Sequence, residues 1–442
     1  MALRSLARDS GKSRWATVAL MRTARFEVDI GHLARALTAA QRAEHLAKLA
    51  ELAVDQVQSQ ALVAEILRDL GDMQGALAAV DRALAASAHP EVSARQRAEV
   101  LGAKGTLLRR VGRVQEAIGA HAESIAVFRR VGAKRMEAHA KNSLAFSLYA
   151  LGHFEDAIAL GIDAIRIDLS IGGRLQIAKT LSTIGQSYSA LGDIERGLAY
   201  FKRARQALEN YHDQDSKSDT LLAWAESLIE RGNVAEAEQL LQEAASIDLL
   251  TGSAYDAAHE KIVRALLSRA RGDAATAVMH AFDARQVAEA QAYVAFHFYA
   301  MAIEAVSRVD IGEQHTGILL ATTTLGAMET IEGSEYALAS RVLCCEALKK
   351  SGSPQAQTMT ARAVAWFSKQ CESVKSVDLR RALRERAPAA KLLAWAEGTE
   401  HDFGGPETDI RQHTGLSTFA GFDSPASSSS TASSADDSDR NK

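Results

Sequence analysis

Residues 142–164 read Asn142-Ser-Leu-Ala-Phe-Ser-Leu-Tyr-Ala-Leu-Gly152-His-Phe-Glu-Asp-Ala157-Ile-Ala-Leu-Gly161-Ile-Asp-Ala164, and residues 182–204 repeat the same pattern. Each copy has apolar residues at positions i, i+3, i+4 and i+7, then a Leu-Gly stop and a second stretch with small residues seven apart. Glycine ends a helix readily because it takes a positive φ without a Cβ clash. The stretch therefore predicts a helical hairpin, present twice in succession.

This pattern recurs at a nearly fixed period. Its turn glycines lie 40 residues apart, with one step of 41 residues after Gly71. They are Gly31, Gly71, Gly112, Gly152, Gly192, Gly232, Gly272, Gly312 and Gly352. In most copies small residues follow at the fifth and twelfth positions, so the second helix presents a face on which the first can pack closely. Because a lone hairpin cannot bury both of its faces, the period predicts hairpins stacked into a solenoid.

The repeat resembles the tetratricopeptide repeat family. The residues that carry the signature in one copy are Gly185, Tyr188, Gly192, Gly197, Phe201 and Ala204. The period of 40 residues departs from the family's usual period of about 34. The additional residues lie between one hairpin and the next, where Gly132, Gly172 and Gly173 are predicted to act as helix stops. This is similar to the longer-repeat branch found in signalling adaptors and bacterial regulators.

The resemblance and the composition predict one fold class. The chain has 5 prolines and 5% aromatic residues, and it lacks the alternating pattern of β-strands. We expect an all-α, right-handed superhelical solenoid of about nine tetratricopeptide-like hairpins with a C-terminal pair of capping helices. Residues 1–16 are predicted to be a frayed N-terminus, 17–372 the repeat array, 373–401 the capping helices and 402–442 a disordered, serine-rich acidic tail.

Two places depart from the regular repeat. The second helix of the eighth hairpin contains a cluster of threonines at 322–324, which are poor helix formers, so a bend is expected there. After the ninth hairpin, Ser376 is predicted to cap a helix, and Pro388 to start or bend the last one. This segment also resembles the ends of the repeat tails of bacterial multidomain serine/threonine kinases and ATPase-type regulators. That second resemblance implies a regulatory tail without its catalytic head.

Charge and hydropathy argue against several classes of partner. The formal net charge is -4, with acidic and basic residues interspersed, which favours neither nucleic acid nor an anionic membrane. The apolar runs are too short for a membrane span and the N-terminus lacks a secretory signal, so a cytoplasmic location is expected. Cys344, Cys345 and Cys371 lack the spacing of a zinc site and are predicted to be reduced core residues.

Short catalytic signatures are incomplete in this chain. Ser10-Gly11-Lys12-Ser13 resembles the end of a phosphate loop, but Leu6 stands where that motif requires glycine. His259-Glu260 begins a zinc-protease motif, but Val263 occupies the position of the second histidine. The chain is therefore predicted not to be an enzyme. No catalytic residue, metal, cofactor or small-molecule substrate is expected.

The remaining candidate site is the concave side of the solenoid, which the first helices line. Positions ten, nine, six and three residues before a turn glycine are predicted to face it. The wall residues selected from these positions and from neighbouring copies are Arg109, Asn142, Phe146, Tyr149, Lys179 and Gln186. Phe146 and Tyr149 are expected to form an apolar anchor open to solvent, and Asn142 to bond to a partner backbone.

Two functions remain open at this point. The first is a non-enzymatic scaffold that binds a partner protein or peptide on the concave face. The second is a sensory or docking module of a bacterial signalling system, related to the kinase or ATPase tails. The same wall residues are also compatible with the solvated lining of an unused groove. An adjacent kinase or sigma-factor gene would favour the second function.

Overall fold

The computed structural model of the chain describes residues 10–209, 213–251 and 253–398. Within these ranges every regular element is an α-helix, and no strand occurs. The fold class expected from the sequence is therefore confirmed: the helices form nine hairpins followed by a capping pair. Residues 1–9 and the tail predicted at 402–442 lie outside the described residues.

The hairpins follow one another in chain order, and each consists of a first and a second helix. The first helices are α1 (Ser10–Asp29), α3 (Ala53–Asp69), α5 (Ala94–Arg110), α7 (Lys134–Ala150), α9 (Arg174–Ala190), α11 (Gln214–Arg231), α13 (Ala254–Ala270), α15 (Val294–Asp310) and α17 (Ala337–Lys350). The second helices are α2 (Leu33–Leu49), α4 (Met73–Ala86), α6 (Val114–Arg130), α8 (Phe154–Ile171), α10 (Ile194–Leu208), α12 (Val234–Thr251), α14 (Ala274–Ala290), α16 (Gln314–Ala327) and α18 (Ala356–Ser373). The capping helices are α19 (Val377–Glu385) and α20 (Ala387–Glu397).

The turn glycines behave as the sequence predicts. All nine have positive φ, between 67° and 91°. Of the three glycines expected to stop helices between hairpins, Gly132 and Gly172 also have positive φ, whereas Gly173 instead precedes α9 as its N-cap, with φ of -80°. Two other junctions use Glu51 and Ala292 with positive φ. A left-handed residue is thus a recurring device for reversing the chain.

The small residues of the second helices form the contact with the first helices. Ala157, Ala164, Ala237 and Ala244 are fully buried. At the equivalent position of hairpin five, a Cβ on Gly197 would lie 2.9 Å from the backbone oxygen of Gly185. The two helices are therefore packed backbone to backbone at this point, and the repeating small residues make that distance possible.

The two ends of the array refine the predicted boundaries. Helix α1 begins at Ser10, inside the segment that was expected to be frayed. At the other end, the Ser376 hydroxyl accepts a hydrogen bond from the backbone N–H of Leu379 at 3.3 Å and caps α19. Pro388 lies in the first turn of α20. The predicted cap and its two signals are confirmed.

The eighth hairpin differs from the others in the way that it joins the ninth. Helices α16 and α17 have 14 residues each, whereas most helices of the array have 17 or 18. The shortening leaves residues 328–336, here named the connector, without regular helix. The threonines at 322–324 themselves lie inside the regular helix α16, and the irregular stretch follows that helix. The 40-residue spacing of the glycines is preserved.

Distant hairpins meet along one edge of the array, which we call the seam. The Val294 side chain lies 3.3 Å from the position that a Cβ on Gly112 would take, and a Cβ on Gly192 would lie 2.2 Å from the backbone oxygen of Ala382. The turns of early hairpins therefore contact residues of the eighth hairpin and the cap. This contact is not between sequence neighbours, and the period alone did not predict it.

The cysteines and the apolar helices agree with a packed helical array. Cys344, Cys345 and Cys371 are buried free thiols, and burial raises the pKa of each. Among the described helices, none combines the length and the apolar character that a bilayer crossing requires.

Candidate functional site

Three of the predicted wall residues, from two neighbouring first helices, contact one another. The guanidinium of Arg109, at the end of α5, lies 4.3 Å from the ring centre of Phe146 on α7. The rings of Phe146 and Tyr149 are 5.5 Å apart. A cation above an aromatic face is attracted by the negative face of the ring. Arg109, Phe146 and Tyr149 thus form one continuous patch.

Asn142 lies one helical turn before Phe146, on the same face of α7. Its side-chain oxygen Oδ1 is buried and has no hydrogen-bond partner among the described residues. A buried amide oxygen without a partner costs about 1–3 kcal/mol, because it has lost water and gained nothing in return. An N–H donor that reached Oδ1 after the groups covering it moved aside would remove that cost.

Lys179 and Gln186 lie on α9, the next first helix. The Lys179 ammonium is 2.9 Å from the Asp213 carboxylate, and the side chain remains partly exposed. The amide of Gln186 donates to the Ser182 hydroxyl at 3.5 Å, which is a weak bond. Both side chains have local partners that a ligand could replace. We refer to the six predicted residues Arg109, Asn142, Phe146, Tyr149, Lys179 and Gln186 as the inner wall.

The inner wall is less open than the sequence suggests. Tyr149 is only 8% exposed, so the aromatic pair is not the open anchor that we expected. Tyr149 packs against the second helix of its own hairpin: it shares an apolar cluster with Ala157, and the Phe154 ring centre lies 5.8 Å from its own.

The connector closes the wall at Arg109, where the Glu335 carboxylate is 2.5 Å from the guanidinium. Both charged side chains are largely buried, and the partners lie 226 residues apart. Burial alone would lower the pKa of Arg109, but Glu335 and Tyr255 together outweigh it and raise the pKa.

An aromatic group that sequence reasoning missed surrounds the end of the connector. Tyr336 stacks on Tyr299 with ring centres 4.4 Å apart and an angle of 11° between the rings. Its hydroxyl lies 3.4 Å from His259 Nε2, and the His259 ring stacks on Phe296. Burial raises the pKa of Tyr336 well above its ordinary value. The neutral phenol is therefore kept as a hydrogen-bonding group.

His259 is the member of this group that pairs with a carboxylate. Burial alone would lower the pKa of His259, but the Glu226 carboxylate, 3.3 Å from Nε2, outweighs it and raises the pKa, with a contribution from Asp219. Glu226 comes from α11, and its other carboxylate oxygen has no hydrogen-bond partner among the described residues. The interior therefore contains a carboxylate, that of Glu226, with one acceptor oxygen unused.

The sequence contains one signal for the connector that could have been used. Gly333 and Ser334 are turn formers inside a repeat that otherwise keeps its period. By contrast, the positions of Tyr299 and His259 follow the repeat register, but nothing local in the sequence indicates that they would meet Tyr336.

The residues of the incomplete zinc-protease motif have structural roles. His259 belongs to the aromatic group, and Glu260 pairs with Arg264 at 2.6 Å on the same helix. Within the part of the chain that the structure describes, no three His, Cys, Asp or Glu side chains are grouped as a metal site would require. The site is thus built from ion pairs, amides and aromatic rings, which suit the recognition of a polypeptide.

Comparison with known proteins supports the repeat assignment. Residues 96–170 and 176–249 match the tetratricopeptide repeat family. These ranges include all six inner-wall residues. The search of curated proteins found no match.

Three solved structures illustrate the similarity in fold. NprR in complex with its cognate peptide NprX has 13% identity and a TM-score of 0.53, covering 78% of this chain and 99% of that one. A Rap protein complexed with Competence and Sporulation Factor has 12% identity and a TM-score of 0.51, covering 78% and 98%. Aspartyl phosphate phosphatase F from Bacillus subtilis has 14% identity and a TM-score of 0.51, covering 62% and 70%.

At these identities the similarity concerns the fold. It agrees with a tetratricopeptide-like solenoid over most of the array. These matches do not show the resemblance of the C-terminal segment to kinase or ATPase tails.

Proposed function

We propose that this chain is a cytoplasmic, non-enzymatic scaffold that binds a peptide segment of a partner protein on the inner wall. The observation that carries the proposal is the buried, unpartnered Oδ1 of Asn142, one helical turn before Phe146 on α7. An amide side chain both accepts from and donates to a peptide backbone, so it can hold an extended segment without reading its side chains.

The surrounding groups supply the remaining features of a peptide site. The partly exposed Lys179 provides a charge, Gln186 a second amide, and Phe146 an apolar surface. Two of the structures with a similar fold contain a bound peptide or factor by name, and we extend that mode of binding to this chain as part of the proposal.

The test uses short synthetic peptides of known sequence. A pool is applied to the immobilised full chain, the retained peptides are identified by mass, and their affinities are measured individually by fluorescence anisotropy. We expect Asn142→Ala to lower the affinity for the retained peptides by about tenfold or more, because two hydrogen bonds to the peptide backbone are lost. Gln206→Ala, an exposed amide on the second helix α10, is the matched control and should leave the affinities unchanged.

The proposal is wrong if no peptide is retained, or if retained peptides bind Asn142→Ala and the wild type equally. Circular dichroism of both variants checks that the helical array is intact. Because removing an unpartnered buried amide relieves a cost, Asn142→Ala is expected to melt no lower than the wild type.

A further inference from the structure

The connector is the longest break between hairpins in the described part of the array. It spans residues 328–336, whereas Gly172 and Gly173 alone separate α8 from α9. Its chain runs past the N-terminus of α6, the end of α7 and the aromatic group on α13 and α15. A segment of this length without regular helix has the dimensions of a short bound peptide.

Two glutamates anchor the connector three residues apart. Glu335 pairs with Arg109, as described above. The Glu332 carboxylate accepts a hydrogen bond at 2.7 Å from the backbone N–H of Gln115, in the first turn of α6. That helix has no side-chain cap of its own. A carboxylate there is favoured by the unpaired N–H groups and by the positive end of the helix dipole.

The backbone between the anchors is held closely. A Cβ on Gly333 would lie 2.9 Å from the Ala150 backbone oxygen and 2.7 Å from a Leu151 methyl group. Ser334 is buried, and Tyr336 fills the aromatic pocket beside Tyr299. Two charge anchors, a close backbone and one aromatic side chain in a pocket are the features by which a groove recognises a peptide.

We infer that residues 329–336 are an internal pseudo-ligand of the array, and that the external ligand that displaces them is an acidic peptide with two carboxylates three residues apart. The inference rests on the proposed function, since it names the chemistry of the peptide and the way in which binding is regulated. The first carboxylate of the peptide binds the N-terminus of α6, and the second binds Arg109.

The covalent link makes the connector a strong competitor. A tethered segment meets its site at an effective concentration on the order of millimolar, so a free peptide with the same contacts is largely excluded. Weakening the connector's own anchors should therefore increase the affinity for an external peptide, although no residue of the receiving surface has changed. This behaviour distinguishes a displaceable segment from a fixed structural element.

The probe is the sequence of residues 329–336 of the connector, acetyl-Glu-Thr-Ile-Glu-Gly-Ser-Glu-Tyr-amide, carrying a fluorescent label. Its affinity is measured by anisotropy for the full chain and for Glu332→Gln/Glu335→Gln. We expect the double variant to bind the probe at least tenfold more tightly than the wild type. Glu329→Gln is the matched control, because this exposed glutamate of the same segment pairs with Arg362 on α18 instead. It should bind as the wild type does.

Two further measurements test the receiving groups. Adding Arg109→Gln to the double variant should reduce the affinity for the probe by tenfold or more. A probe with glutamine at both anchor positions should bind the double variant at least tenfold more weakly than the glutamate probe. The inference is overturned if the double variant binds no more tightly than the wild type, or if the glutamine probe binds equally well.

A milder variant guards against misfolding, and the peptide pool separates failure of the inference from failure of the proposed function. Glu332→Gln alone changes an exposed side chain and keeps the Arg109–Glu335 pair, so it is a milder variant. Its affinity for the probe should lie between that of the wild type and that of the double variant. If the peptide pool yields ligands that depend on Asn142 while the acidic probe binds no variant, the inference fails and the proposed function stands. If neither binds, both fail.

Discussion

Arg386 and Glu230 lie 156 residues apart and form a two-point ion pair. The Nε and Nη2 atoms of Arg386 donate to the two carboxylate oxygens of Glu230 at 2.6 and 2.7 Å, and Nη1 donates to the Ala190 carbonyl at 3.1 Å. Burial alone would lower the pKa of Arg386, but Glu230 outweighs it and raises the pKa. The pair joins the cap to the first helices of hairpins five and six, so it fastens the seam.

Breaking this pair should destabilise the array measurably. We expect Arg386→Gln and Glu230→Gln each to lower the free energy of unfolding by about 1–3 kcal/mol, because each leaves a mostly buried charge without its partner. The double variant should lose less than the sum of the two. Urea unfolding of the four proteins measures the coupling. The exposed pair Arg362–Glu329 is the control and should contribute less than about 1 kcal/mol. Strict additivity would show that the pair does not hold the seam.

Two turn glycines allow the stability that the docked cap contributes to be separated from the cost of backbone strain. Gly192 has φ of 85° and Gly232 has φ of 90°, so alanine is strained at both positions. A Cβ on Gly192 would also lie 2.2 Å from the Ala382 backbone oxygen, whereas a Cβ on Gly232 meets nothing within 4 Å. Gly192→Ala should therefore lower the melting temperature more than Gly232→Ala. Hydrogen exchange should locate the additional loss in α19 and α20. Equal losses would argue against the seam contact.

The packing of helices within a hairpin should be sensitive to a single charge. Ala157 is fully buried in the contact of α8 with α7, so Ala157→Glu should cost about 2–4 kcal/mol through added volume and a buried carboxylate. Ala159→Glu, on the exposed face of the same helix, is the control and should be nearly neutral. Thermal melting followed by circular dichroism compares them. If both variants melt as the wild type does, the assigned register is wrong.

The repeat register could be predicted from the sequence because its signals are local. A glycine with positive φ and an alanine five residues later act within one hairpin, and each copy repeats the same local argument, as Gly152 and Ala157 do. The same applies to the capping role of Ser376. A register assigned wrongly in one copy would disagree with the same pattern in the other eight.

The seam and the occupied inner wall could not be predicted in the same way. Which turn meets which distant residue depends on the rotation accumulated over several hairpins, and small differences in packing change that sum. Glu335 and Arg386 have no signature in the register, although each contacts a residue more than 150 positions earlier. Positions such as Asn142 and Phe146 could be assigned to the inner wall. The assignment of Tyr149 there is wrong, because the position three residues before the turn glycine packs against the second helix of the same hairpin.

Two aspartates on α8 have opposite environments. Both carboxylate oxygens of Asp168 are buried without a hydrogen-bond partner among the described residues, and burial raises the pKa of Asp168 from 3.8 to about 6. Asp163 instead accepts a hydrogen bond from Lys141, which lowers the pKa of Asp163. One helix thus carries an aspartate that opposes folding at neutral pH and another that supports it.

Replacing each aspartate by asparagine should therefore change stability in opposite directions at pH 7.5. Above pH 6 Asp168 is charged in both states, so its burial is fully unfavourable and Asp168→Asn should stabilise the fold by about 1–3 kcal/mol. As the pH falls through 6 towards 3.8, the folded state alone binds a proton and this advantage should disappear.

The contribution of Asp163 is present above its unfolded pKa of 3.8 and is lost as the pH falls through the lowered folded value, so Asp163→Asn should destabilise the fold at pH 7.5 and become neutral in acid. Because Asp163 is partly exposed, its loss should be the smaller of the two. Urea unfolding of the three proteins between pH 4 and 8 measures both trends. A stabilisation by Asp168→Asn that is independent of pH would show that relief of buried charge is not its cause.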